Sequence, residues 1–184
     1  VIEIKKYKTV LGDPPWNEIG GGKIRRGADK HYSLMKVDEI IEYMKKIPFD
    51  ENCHLYLWVT NNFLEKGLRV MKELKFKYKT NIVWVKDRIG LGQYFRGQYE
   101  LLLFGVKGNL PYKHKDNPSR SCCVESTVIN AKRRKHSQKP VEQYFKIENT
   151  SYPPYLEVFA RDRREEWDSL GDELTDTVQI MLKG

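Results

Sequence analysis

Asp13-Pro14-Pro15-Trp16 follows a short strand-like run, Tyr7-Lys8-Thr9-Val10-Leu11-Gly12. A carboxylate at the end of a strand is a fixed hydrogen-bond acceptor. The two prolines hold φ near ~−65° and supply no N–H donors, so the carbonyls of Asp13 and Pro14 are rigidly placed. Trp16 adds a flat apolar wall. Together the four residues suit a planar ring that carries an exocyclic amine: the amine donates to the carboxylate and a backbone carbonyl while the ring stacks. The same tetrapeptide also describes a proline-stiffened turn over a buried tryptophan.

Further chemistry-bearing residues lie later in the chain. Glu157 sits in Tyr155-Leu156-Glu157-Val158-Phe159-Ala160, close to a strand end as Asp13 is. Ligands of open α/β sheets bind outside the carboxyl ends of the strands, where an acid commonly holds ribose hydroxyls; an edge-strand surface charge is the plainer alternative. Lys135-His136-Ser137-Gln138-Lys139-Pro140 opens a helix-like stretch. Ser137 as a cap, with Lys139 and free backbone N–H groups, makes a corner for a carboxylate or phosphate, or an ordinary helix start. Trp58 and Trp84 each end a strand-like run and suit either base stacking or the core. Lys23, Arg25, Arg26 and Lys30 form one basic run, and Lys132, Arg133, Arg134 and Lys135 a second.

The elements that must position these residues follow from the hydrophobic pattern. Strands are predicted over residues 8–12, 54–60, 81–86, 99–107, 155–160 and 167–170. The runs 54–60 and 99–106 are almost continuously apolar, as in strands covered on both faces. Helices are predicted over 37–46, with Val37, Ile40, Ile41 and Met44 on one face, and over 63–74, with Leu64, Leu68, Met71 and Leu74. A third is expected over 140–147, with Pro140 in its first turn. Alternating strands and helices argue an α/β fold with a mostly parallel sheet. Residues 17–31, rich in glycine and basic side chains, read as a mobile lid; residues 108–134 read as irregular.

The 184 residues suit one domain over 1–184. At 40% hydrophobic and 32% charged, the composition is that of a soluble globular chain. No apolar run approaches the ~18 residues of a membrane span, and the first residues do not read as a signal peptide. Three cysteines make no disulfide framework, and four scattered histidines show no metal-ligand spacing, so no metal is expected and a reducing cytoplasm fits. A net charge of +8 favours a polyanionic partner.

Taken in order, several segments make the chain resemble the N6-adenine methyltransferase family typified by the catalytic subunit of the eukaryotic messenger-RNA adenosine methyltransferase. They are Asp13-Pro14-Pro15-Trp16, Tyr32 with Ser33 and Met35, Leu57-Trp58-Val59-Thr60, Trp84-Val85-Lys86, Gly105-Val106-Lys107-Gly108-Asn109, His136 through Pro140, Glu157 through Arg161, and residues 167–171. They span residues 8–173. The stretch Arg96-Gly97-Gln98-Tyr99-Glu100-Leu101-Leu102-Leu103 is more similar to the bacterial and phage branch of that family, whose members act on DNA.

The resemblance implies a Rossmann-like methyltransferase fold with permuted motif order, the target-amine motif first and the cofactor-binding strand late. It implies S-adenosyl-methionine as cofactor, S-adenosyl-homocysteine as product, and methylation of the N6 amine of adenine in nucleic acid, DNA in the first instance. RNA is the alternative substrate, and a silent nucleic-acid-binding subunit the alternative role. Carried over, Asp13, Pro14, Pro15 and Trp16 are the catalytic loop, with Asp13 also touching the cofactor. Lys139 meets the cofactor carboxylate and Glu157 its ribose; Arg161, Arg163 and Arg164 follow. Asp172 and Glu173 stand where several relatives have Asn and Gln. Tyr32 flanks the target base, with the basic runs, Trp58 and Trp84 as further substrate contacts. A homodimer, or a heterodimer with a related subunit, is the implied assembly.

Overall fold

The two longest apolar runs lie side by side at the centre of a seven-stranded sheet. In the computed structural model the described residues are 5–17, 34–92, 94–113, 125–134, 138–171 and 174. The strands are β1 (Tyr7–Gly12), β2 (Phe49–Val59), β3 (Lys77–Val85), β4 (Tyr99–Lys107), β5 (Val128–Asn130), β6 (Tyr155–Val158) and β7 (Trp167–Leu170). Their order is β5-β3-β4-β2-β1-β6-β7. All neighbours pair parallel except β4, which runs antiparallel to both β2 and β3. The expected α/β fold with a mostly parallel sheet is what the chain forms.

Helices cover both faces, so alternate residues of one strand enter different cores. On β2, Cys53, Leu55, Leu57 and Val59 pack in the cluster that holds Ile40, Ile41 and Met44 of α1 (Val37–Lys45) and Val70 and Met71 of α2 (Leu64–Glu73). Tyr56 and Trp58 pack in the opposite cluster with Ile147 of α3 (Glu142–Thr150). This two-sided burial is why β2 and β4 carry almost no polar alternation. α1 is started by Glu39, whose carboxylate accepts the Lys36 backbone N–H at 2.6 Å. Asp38 and Glu39 in its first turn and Lys45 in its last match the helix dipole.

Several expectations are corrected in detail. The buried stripe of α2 runs through Gly67, Val70 and Met71, and Leu68 is exposed. A Cβ on Gly67 would lie 2.5 Å from Val59 Cγ1 and 2.9 Å from Leu103 Cδ1, so the helix turns its glycine to the sheet to approach closely. α3 begins at Glu142 instead of residue 140 and runs on to Thr150. Within 108–134, read as irregular, Val128–Asn130 forms β5 beside β3. Residues 18–31 of the expected lid lie outside the described residues.

A buried polar chain ties β2 to the end of α3. His54 Nε2 donates to the Leu110 carbonyl at 2.9 Å, which fixes the neutral tautomer. Nδ1 then accepts from Ser151 Oγ at 2.7 Å, and Ser151 Oγ accepts from Tyr56 OH at 2.7 Å. Burial lowers the pKa of His54 below its ordinary value. The unfolded chain therefore binds a proton at higher pH than the folded one. The His54 contribution to stability is expected to be constant above about pH 6.5, the ordinary histidine value, and to fall as pH drops below it. Urea unfolding from pH 8 to pH 5 checks this, and a His54→Gln variant should lose that component.

Candidate active site

Three carboxylates meet at one edge of the sheet because one strand is reversed. Asp13 follows the last residue of β1, and its backbone N–H reaches the Val158 carbonyl of β6 at 3.4 Å. Glu157 lies on β6 in register with Leu11 of β1. Glu100 lies near the start of β4, opposite Trp84 of β3. Since β4 is antiparallel, its beginning falls where its neighbours end.

Lys139, on the segment leading into α3, joins the end of β1 to the start of β4. Its Nζ donates to Asp13 Oδ2 at 2.8 Å and lies 3.5 Å from Glu100 Oε2. Glu100 Oε1 accepts from Lys86 Nζ at 2.5 Å. The result is an alternating row Asp13–Lys139–Glu100–Lys86, each side chain under 20% exposed (19%, 13%, 16% and 19%). Burial pushes the Glu100 carboxyl up, but the ammonium groups of Lys139 and Lys86 more than cancel this and leave its pKa below the ordinary value. Burial likewise disfavours the Lys139 ammonium, and Asp13 and Glu100 outweigh it, holding its pKa above the ordinary lysine value.

Glu157 is treated differently. Burial first, then the charges of Asp13 and Asp162, push its carboxyl up to about 7, against the opposing bond from Tyr144 and the charge of Arg164. Tyr144 OH donates to Glu157 Oε2 at 2.8 Å. Arg164 lies 4.5 Å over the Tyr144 ring and pairs with Glu148 at 3.3 Å. Asp13, Lys139, Tyr144, Glu157, Arg134 and Arg161 line one small cavity of about 60 Å³. Period-two alternation explains the shared side: Glu157 faces as Tyr155 does, toward α3.

The turn at residues 13–17 is anchored on every side. Pro14 O accepts the Trp16 N–H at 2.9 Å, Pro15 O accepts Met35 N–H at 2.8 Å, and Asn17 N–H donates to Met35 O at 3.1 Å. Trp16 Nε1 donates to the Trp58 carbonyl at 3.0 Å. Its ring stacks on Phe63 at 5.5 Å between centroids, 16° from parallel. One face of Trp16 is therefore committed to the protein.

The structure thus brings together Asp13, Lys139, Glu157 and Arg161. It corrects other assignments. Trp58 and Trp84 are 1% and 3% exposed; their indole N–H groups donate to Gln143 Oε1 and the Ala131 carbonyl. Neither has a free face for a base, and both belong to the core. Arg163 is exposed and off the cavity wall, and Arg164 is spent on Glu148 and Tyr144. Lys132, Arg133 and Arg134 are exposed, as a polyanion contact requires. Lys23, Arg25, Arg26, Lys30, Tyr32, Lys135, Ser137, Asp172 and Glu173 lie outside the described residues. Sequence reasoning passed over Glu100, Lys86 and Tyr144 as site residues. The signal for Glu100 was available: a lone acid at the head of an otherwise apolar strand.

The row of charges makes one substitution informative. Lys139→Met leaves Asp13 and Glu100 without their shared cation. The Glu100 carboxyl should then titrate at higher pH than in the wild type, read from its side-chain carbon shift by NMR. An unmoved titration would mean that Lys86 alone sets it.

Known proteins share this arrangement of segments. The type II methyltransferase M.MunI of a Mycoplasma species is 26% identical over 205 residues, covering 98% of this chain and 83% of that protein. The N(6)-adenosine-methyltransferase MT-A70-like protein of Arabidopsis thaliana is 28% identical over 97% of this chain. The N(6)-adenosine-methyltransferase catalytic subunit METTL3 of Homo sapiens is 29% identical over 92% of it. This chain spans only 25% and 28% of those two proteins. The family model of MT-A70 matches residues 7–173. That match runs from the start of β1 to beyond β7 and takes in the whole edge cluster: the chain belongs to the MT-A70 family.

Proposed function

We propose that this chain is an S-adenosyl-methionine-dependent methyltransferase acting on the N6 amine of adenine in nucleic acid, with DNA as its substrate. The observation that carries the proposal is the placement of Asp13, held at 2.8 Å by Lys139, on the same cavity wall as Glu157. A carboxylate for an amine, a carboxylate for a diol and a cation for an amino-acid carboxylate are the donor and acceptor set that cofactor and target require. The names of the plant and animal relatives specify N6-adenosine methylation. The likeness of residues 96–103 to the bacterial and phage branch supports DNA.

When bound, S-adenosyl-methionine supplies a methyl carbon on a cationic sulfur that is electrophilic without further activation. The chain's own residues therefore have to aim and to stabilise. An adenine amine is conjugated with its ring and is a weak nucleophile. Asp13 accepts one N6–H, and the Pro14 carbonyl, which keeps one lone pair after bonding Trp16 N–H, accepts the other. Both favour a pyramidal nitrogen and stabilise the positive charge that develops on it. Lys139 keeps the Asp13 carboxylate in one orientation, which is where the rate gain of positioning arises. Glu157 takes the ribose diol, and Lys139 is also the cation for the cofactor carboxylate.

In a duplex the target base must leave the stack, at a cost of a few kcal/mol. Phosphate contacts from Lys132, Arg133 and Arg134 offset part of it. We take residues 1–184 as one methyltransferase domain working in a reducing cytoplasm, alone or paired with a related subunit. The same chemistry on RNA is the second reading, favoured by the eukaryotic relatives' names. Mass spectrometry of nucleosides from DNA and RNA incubated with enzyme and cofactor decides between them. Absence of cofactor binding in calorimetry would instead leave a silent binding subunit.

Two outcomes are expected. Asp13→Ala should reduce methyl transfer more than tenfold, a loss above ~1.4 kcal/mol, with cofactor affinity within a few-fold of wild type. Retention of more than a tenth of the activity would remove Asp13 from the chemistry. Cofactor affinity should rise as pH climbs through about 7, because the ionised Glu157 carboxylate is the better diol acceptor, and level off above. Glu157→Gln should bind more weakly and lose that pH dependence. Titration calorimetry between pH 6 and pH 8.5 on both proteins provides the check.

A further inference from the structure

The connection from β3 to β4 carries its largest side chains in water. Tyr94 is 105% exposed, Phe95 87% and Leu91 69%. The segment is nonetheless built. Lys86 N–H donates to Gln98 O at 2.8 Å and Gln98 Nε2 to Lys86 O at 3.0 Å. Gly90 N–H donates to Gly97 O at 2.6 Å, and Arg96 Nε to Gly90 O at 3.0 Å. A Cβ on Gly92 would fall 2.0 Å from the Phe95 carbonyl oxygen, so only glycine allows the backbone to close and present Phe95 outward. Tyr94 adopts φ +57°, a conformation few tyrosines take. Two exposed rings on a constrained tip mark an interaction site.

The surroundings specify the partner. The tip borders a cleft of about 970 Å³ lined also by Arg96, Arg133, Asn61 and Tyr99. Aromatic faces interleaved with cations fit unpaired bases and their phosphates. Thr60 Oγ1 on the same wall is buried without a hydrogen-bond partner among the described residues, which a polar ligand atom would satisfy. Lys86 and Glu100 line the cleft and also belong to the row of charges that ends at Asp13. One cation, Lys139, thus separates the cleft wall at Glu100 from Asp13, the residue assigned to the target amine.

We propose that this cleft is a subsite for an unpaired nucleotide next to the target adenine. Phe95 and Tyr94 stack its base, and Arg96 and Arg133 meet its phosphates. The proposal rests on the nucleic-acid methylation reading and adds to it a contact for a neighbouring base.

The test uses 12-mer oligonucleotides, DNA and RNA, each with one adenine, and versions with an abasic site at each position beside it. Methyl transfer is measured for the wild type, Y94A/F95A and F95W. One abasic position should raise the wild-type KM by about five- to a hundred-and-fiftyfold, the range expected for a lost stacking contact. It should not affect Y94A/F95A, whose KM for the intact strand is already raised by that factor. F95W should behave as wild type, and affinity for S-adenosyl-homocysteine should be the same in all three. A Y94A/F95A variant with wild-type KM, in a protein that still methylates the oligonucleotides, overturns the subsite and leaves the function proposal standing. A wild type that binds and methylates no oligonucleotide overturns both. A wild-type dimer that Y94A/F95A converts to monomer in sedimentation, with KM unchanged, assigns the cleft to a second copy and overturns the proposal.

Discussion

Like charges crowd the working edge of the sheet, and the ammonium of Lys139 between Asp13 and Glu100 is what holds them there. Two unit charges ~4 Å apart interact by about 4 kcal/mol at the effective dielectric of a protein surface, ~20. Asp13 and Glu100 come from strands that the fold drives to this edge for reasons of hydrophobic burial, not charge. A cation set within 2.8 Å of one and 3.5 Å of the other turns the repulsion into a clamp. The clamp requires the lead-in to α3 to lie against the sheet, which in turn requires Ile147 and Tyr144 of α3 to pack on Tyr155 and Trp167. Position at the site thus depends on the core between α3 and the sheet.

The two carboxylates facing the small cavity have different partners. Asp13 has a cation at hydrogen-bond distance, while Glu157 has a neutral phenol. Tyr144 in turn lies beneath Arg164, which Glu148 holds in place. Arg164 therefore bears on Glu157 in two ways, directly through its charge and through the tyrosine it covers. The arginines after β6 have a structural share in the pocket even where they do not line it.

Much of this was readable from residue order. Asp13 and Glu157 stand at the ends of short apolar runs, and runs that short and that apolar become covered strands. Lys139 follows from its place before a helix. What was not readable has a common cause: it depends on strand direction and on neighbours distant in sequence. The connection between β3 and β4 is long enough for either orientation, so nothing local placed Glu100 beside Asp13. β5 has three residues in a stretch of prolines and cysteines, too few to show alternation. Trp58 and Trp84 end their strands beside polar residues, as a stacking platform would, and only the packing of α3 and residue 131 shows them to be core. Leu68 fits the helical period of α2 and still points outward, because Gly67 allows the helix to roll toward the sheet.

The short parallel bridge between Trp16 and Met35 has a consequence for how such an enzyme can change. The bonds between Asn17 and Met35 tie residues 13–17 to the stretch that leads into α1. These backbone hydrogen bonds, with Trp16 on Phe63, fix residues 13–17 from both sides. Lengthening a closed loop costs little, about 0.6 kcal/mol for each doubling. The number of residues between Asn17 and Met35 can therefore change while Asp13 remains where β1 puts it. The sequence between the two ends of that bridge and the placement of Asp13 are free to evolve at separate rates.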